Sequence, residues 1–77
     1  MKKKDTKRKA FLKKVGSRIR KIRKEKGFSQ ESLAFASGLD RSYVGGVERG
    51  ERNIAIVNLK RISDGLEIPL CELIKNI

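Results

Sequence analysis

Histidine is absent from the 77 residues, and cysteine occurs once, at Cys71. A Cys/His zinc site is therefore excluded, and so is an intramolecular disulfide. No nucleophile–base pair or metal constellation can be assembled from what remains, so the residues point to no catalysis and no cofactor. Cys71 lies in an amphipathic stretch and reads as core. The chemistry left is cationic and hydrogen-bonding. Twenty Lys/Arg stand against nine acids, a net charge of +11. They are unevenly placed: residues 1–26 hold fourteen of them and only two acids, Asp5 and Glu25, while the other 51 residues sum to −1. A basic third on a near-neutral body implies a polyanionic partner, nucleic acid or an anionic membrane. A solvated basic tail with a soluble helix face would give the same charge.

A chain of this length is one small domain, and association commonly supplements a core so limited. The elements that must position the charges read as helices. Residues 1–7 are lysine-rich and are expected to be a flexible basic arm, leaving residues 8–77 as the folded domain. Phe11, Val15, Ile19 and Ile22 recur at helical spacing, which predicts a first helix from about residue 8 to 26, ended by Gly27. Gly16 inside it costs about 1 kcal/mol relative to alanine, which a close packing partner would explain. Ser29 can cap a second helix that Gly38 ends. Asp40 can cap a third, which Gly50 ends. Two helices of about eight residues thus meet at a tight glycine-containing turn. Leu59, Ile62 and Leu66 predict a fourth helix. Pro69 suits the first position of a fifth, with Leu70, Leu73, Ile74 and Ile77 on its apolar side. No stretch alternates long enough for a strand. The longest aliphatic run is Ile54-Ala55-Ile56-Val57, too short for a signal or membrane span, so a soluble cytoplasmic protein is expected.

The segment from Gly27 to Gly50, GFSQESLAFASGLDRSYVGGVERG, resembles the DNA-binding domain of the Cro/C1-type, xenobiotic-response-element-like regulators. VGSRIRKIRKEKG before it, VERGERN after it and the distal ISDGLEIPLCEL match the same pattern, so the resemblance spans about residues 15–75. Within that family, LDRSYVGGVERGERN followed by GLEI is most similar to the controller proteins of restriction–modification systems. The resemblance implies an all-α, compact five-helix lambda-repressor-like fold, with the helix-turn-helix at helices 2 and 3.

It also implies roles. Helix 2 crosses the DNA backbone and helix 3 enters the major groove. Arg41, first in helix 3, can donate two hydrogen bonds to O6 and N7 of a guanine, worth about 1–3 kcal/mol of discrimination. Ser42 and Tyr43 complete the base-reading set, although Tyr43 can equally serve the core. Ser29, Gln30, Gly46, Arg49, Arg52 and Asn53 are expected along the DNA backbone. Arg23 and Glu48 are expected to form a structural ion pair. The Gly45-Gly46 pair departs from the family, where longer polar side chains are common. Either it lets the bare helix lie close to DNA or it serves close packing. With few direct readers, DNA shape and bending would carry more of the specificity. Two further departures are Ala55, where relatives cap helix 4 with Ser or Thr, and Phe35, where many relatives are polar.

One such domain reads few bases, so a homodimer on a two-fold operator in double-stranded DNA is expected. Ile54, Ile56, Ile68, Leu70, Leu73, Ile74 and Ile77 are the expected interface. No membrane partner and no small-molecule ligand is indicated. The leading expectation is a transcription regulator of restriction–modification genes. The alternatives are a phage-type repressor, an antitoxin whose main partner is a protein, and a basic peptide for RNA or a membrane surface. The last explains the charge but not two capped helices with glycine stops.

Overall fold

The computed structural model describes the backbone of residues 2–77 and the side-chain surroundings from Thr6 onward. Five helices follow in order: α1 (Lys2–Glu25), α2 (Gln30–Ser37), α3 (Arg41–Glu48), α4 (Ile56–Gly65) and α5 (Leu70–Leu73). No strand occurs among the described residues. No helix there is long and apolar enough to cross a membrane. α1 starts well before the expected residue 8, so the described part of the expected arm, residues 2–7, is helical; Met1 lies outside the described residues. Lysine and arginine are good helix formers, and neither glycine nor proline interrupts the chain before Gly16.

The helix ends follow local chemistry. Gly27, at φ 80°, closes α1. Ser29 then forms a reciprocal capping box: its hydroxyl accepts from the Ser32 amide at 2.9 Å, and the Ser32 hydroxyl accepts from the Ser29 amide at 2.9 Å. Gly38, at φ 70°, ends α2 with the Leu39 amide returned to the Ala34 carbonyl at 2.9 Å. Asp40 holds the N-cap position of α3 but makes no side-chain capping bond, contrary to its expected role. Its negative charge still lies favourably at a helix N-terminus. Ala55 likewise leaves α4 without a side-chain cap. Pro69 precedes α5 as its N-cap rather than as its first helical residue, and α5 is a single turn.

Val15, Ile19 and Ile22 of α1 meet Leu33 and Ala34 of α2, Val44 and Val47 of α3, and Leu59 and Ile62 of α4 in one core, closed by Leu66 and Leu73. Phe11 continues the α1 stripe in spacing but stands outside this core, 52% exposed. Cys71, expected inside, is exposed. α5 turns Leu73 inward instead, and two residues earlier on so short a helix is another face.

Two close approaches set the helix spacing. A β-carbon on Gly65 of α4 would come within 2.6 Å of the Ser37 hydroxyl of α2. One on Gly16 of α1 would strike the Val47 and Glu48 carbonyl oxygens at the end of α3. This is the packing partner that the mid-helix glycine called for. Gly16→Ala should therefore destabilise the fold by about 2 kcal/mol: overpacking against rigid backbone outweighs the gain in helix propensity. Urea unfolding of the two proteins measures this, and a stabilised variant would contradict the packing described.

Candidate nucleic-acid interface

α3 is held by a buried ion pair. The Arg23 guanidinium donates from Nε to Glu48 Oε2 at 2.6 Å and from Nη2 to Oε1 at 3.1 Å. Its Nη1 donates to the Phe28 carbonyl at 2.9 Å, which ties in the α1–α2 loop. Gln30 of α2 donates from Nε2 to Glu48 Oε1 at 3.0 Å. The Glu48 side chain is only 2% exposed. A charge so removed from water needs this full set of partners, and the fork-on-fork geometry permits one relative orientation of α1 and α3.

The exposed end of that fixed helix carries Arg41 and Ser42, both facing solvent. Tyr43 is half-buried and packs against the core. Its hydroxyl accepts a hydrogen bond from Asn58 Nδ2 at 3.1 Å, and the Arg52 guanidinium lies 5.6 Å from its ring centroid. Asn58 had no signature in the sequence. It is fifteen residues away, and only the packing of α4 beside α3 brings it to the ring.

Gly45 and Gly46 are buried, and their cover is local. A β-carbon on Gly45 would meet Arg49 Nη1 at 3.1 Å and Gln30 Oε1 at 3.4 Å. One on Gly46 would meet Arg52 Cγ at 3.0 Å and Nε at 3.2 Å. The two glycines thus form a seat for the side chains of the following loop. Gly46, expected against the DNA backbone, lies beneath Arg52 instead.

The remaining expected contacts sit at the N-terminus of α2 and in the loop after α3. Ser29 and Gln30 are at the N-terminus of α2, where Ser29 is engaged with Ser32 and Gln30 with Glu48. The amide of Gln30 keeps a second N–H donor. Arg49, Arg52 and Asn53 are exposed in the loop after α3. Arg49 Nε pairs with Glu51 at 3.1 Å. Hydrogen bonding by Arg49, with the charges of Arg49 and Arg52, holds the Glu51 carboxyl below its ordinary pKa. The loop therefore carries two arginines and one carboxylate.

Of the aliphatic residues expected at an interface, Leu73 is fully buried and belongs to the core. α5 packs on α4 and α1, and a second chain has no access to a side chain so buried. Ile54, Ile68, Leu70 and Ile77 are half-buried against the core. Ile56 and Ile74 are exposed, at 65% and 43%. Phe11, Leu12, Ile54, Ile56, Leu59 and Ile74 line one open apolar hollow. Phe11 was missed in the sequence because its spacing assigned it to the core.

A helix-turn-helix family model matches residues 19–73. The chain belongs to the helix-turn-helix family. Among curated relatives, the control protein C.MunI of Mycoplasma sp is 49% identical over 63 residues, covering 80% of this chain and 85% of the relative. The control protein C.BamHI of Bacillus amyloliquefaciens is 43% identical over 54 residues, covering 69% and 67%. The crystal structure of the restriction-modification controller protein C.AhdI from Aeromonas hydrophila superposes with a TM-score of 0.82 at 58% identity, over 83% of this chain and 97% of that one. C.Esp1396I bound to a 25 base pair operator site gives a TM-score of 0.76 at 49% identity, over 84% and 91%. This is a helix-turn-helix protein of the restriction–modification controller type.

In this helix-turn-helix the orientation of α3 depends on Glu48. Glu48→Ala leaves Arg23 buried and unpaired and should cost about 3–5 kcal/mol, whereas Arg23→Met/Glu48→Leu together should cost less than the single change. Denaturant midpoints of the three proteins check the order, and a double variant weaker than Glu48→Ala would refute it.

Proposed function

We propose that this chain is a sequence-specific transcription regulator that binds a two-fold operator as a homodimer and controls restriction–modification genes. The observation that carries the reading is the pair Arg41 and Ser42, exposed at the start of a helix whose orientation is locked by a buried ion pair. Preorganised side chains of this kind can distinguish base edges. A flexible basic patch gains only affinity.

The roles follow from position. Arg41 donates in parallel to guanine O6 and N7, and Ser42 bonds an adjacent base or phosphate. Tyr43 presents a hydroxyl oriented by Asn58. The N-terminus of α2, with Ser29 and Gln30, meets one phosphate strand through backbone amides and the remaining Gln30 donor. Arg49, Arg52 and Asn53 meet neighbouring backbone phosphates. The glycine pair lets the two arginines lie back along α3, so Arg52 is held over Tyr43 and not left to rotate in water. Of the two roles expected of the glycine pair, close packing beneath Arg49 and Arg52 is the one its surroundings support.

The homodimer is supported by the apolar hollow of Phe11, Ile56 and Ile74, with Ile54 beside them. Exposed aliphatic groups clustered on a domain this small suit an isologous contact. Ile68, Leu70 and Ile77, already packed on the core, border it at most.

Two measurements test the reading. Selection from random duplexes should recover a two-fold sequence. On that site Arg41→Ala should lose about 1–3 kcal/mol of binding and relax preference at one base pair per half-site. Equal loss on every sequence would make Arg41 a phosphate contact. Sedimentation at micromolar concentration should show a dimer, which Ile56→Glu converts to a folded monomer with weaker operator binding. A monomeric parent protein would refute the dimer.

A further inference from the structure

The family model begins at Ile19, so most of α1 stands outside the shared helix-turn-helix. That half is where the charge is concentrated, and the structure gives it a definite neighbour. Gly50, at φ 76°, brings the loop after α3 against α1: a β-carbon there would come within 2.6 Å of Lys13 Cγ and 2.9 Å of its Cα. Arg8, Lys9 and Lys13 of α1 share one trough with Arg49, Glu51 and Asn53 of the loop. Glu51, the one acid among the described residues that line it, is already paired with Arg49. The trough is therefore net positive, and Lys9 and Lys13 are exposed along it.

We infer that this N-terminal face of α1 is a second phosphate-binding surface, which takes the backbone of the duplex flanking the bases read by α3. The inference rests on the DNA-binding reading above. Arg49 and Asn53 sit on the strand beside the groove, and the trough continues directly from them onto α1. Lys9 and Lys13 are four residues apart on a rigid helix, an advance of about 6 Å. One strand of duplex DNA carries a phosphate per roughly 3.4 Å of axis, so that length spans about two phosphates. A helix holds these ammonium groups in line, where a disordered arm would lose entropy in ordering them. The surface makes no base contact, so it adds affinity and salt dependence without changing the sequence preferred. An anionic membrane is the competing polyanion. Its headgroups would draw on the same lysines but not on their continuity with the α3 loop.

The test uses the full chain and the duplex recovered by selection, with eight or more flanking base pairs on each side (about one helical turn). The logarithm of affinity is followed against the logarithm of salt. Lys9→Ala/Lys13→Ala should lower the slope by about 2, near 0.9 for each lost phosphate contact. Its deficit relative to the parent should then shrink about tenfold between 50 and 200 mM salt. Base preference should be unchanged, and Lys9→Arg/Lys13→Arg should restore the slope. Lys14→Ala/Lys21→Ala, in the neighbouring basin that Lys13 also borders but outside the trough itself, should leave it as it was. Alanine favours helix, so α1 survives these changes, and circular dichroism verifies it. An unchanged slope in Lys9→Ala/Lys13→Ala, or an equal loss in Lys14→Ala/Lys21→Ala, overturns the inference while leaving the helix-turn-helix reading intact. A parent protein that shows no sequence preference defeats the reading itself. Lysine-dependent binding to vesicles containing phosphatidylserine, with the DNA slope unmoved, assigns the surface to a membrane and overturns the inference.

Discussion

The Arg23–Glu48 pair is the constraint on which the rest of this structure depends. One carboxylate, almost wholly withdrawn from water, accepts from α1 and α2 while belonging to α3. The guanidinium that faces it also holds the α1–α2 loop. The pair adds little net stability, because both ions are desolvated. Its effect is geometric. Helices of eight residues have few side chains with which to define an angle, and apolar contacts alone tolerate sliding. A forked hydrogen bond does not, so the end of α3 that carries Arg41 and Ser42 is presented in one orientation.

Small residues make that arrangement possible. Gly16 lets α1 approach the carbonyl end of α3, which brings Arg23 and Glu48 within reach two turns later. Gly45 and Gly46 act within α3 itself. They open room for Arg49, whose Nη1 lies over Gly45, and for Arg52, whose Cγ and Nε lie over Gly46. The helix surrenders about 2 kcal/mol of propensity at these two positions. In exchange, loop cations are placed against α3, with Arg52 over the Tyr43 ring.

Charge is unevenly spread over this molecule. α3 and its turn are close to neutral, and the positive charge is concentrated on α1. Hydrogen bonds from a neutral helix act through geometry, which salt barely screens. Attraction by α1 is long-ranged and strongly screened. The loop after α3, packed on Lys13 through Gly50, is where these two surfaces join.

Much of the fold was legible in the sequence because its signals are local. Ser29, Gly38, Gly50 and Pro69 mark helix ends through backbone and side-chain chemistry within four residues, and the spacing of Val15, Ile19 and Ile22 marks a buried face. The candidate readers Arg41 and Ser42 followed from their place after a turn and from resemblance. What sequence left open was whatever depends on a neighbour distant in the chain. Periodicity treated Phe11 and Leu73 alike as apolar, but only packing decides that Leu73 fills the core and Phe11 faces outward. Asn58 acquires its partner, and Gly46 its cover, only when α4 and the following loop fold onto α3. The lysine-rich start lacks an apolar face, so nothing in its pattern announced a helix; its propensity and its continuity with α1 decided it. Composition by itself determined that the chain is strongly cationic and suits a polyanionic partner. Tertiary structure decided which cations lie beside α3, because a charge has no direction until a fold gives it a position.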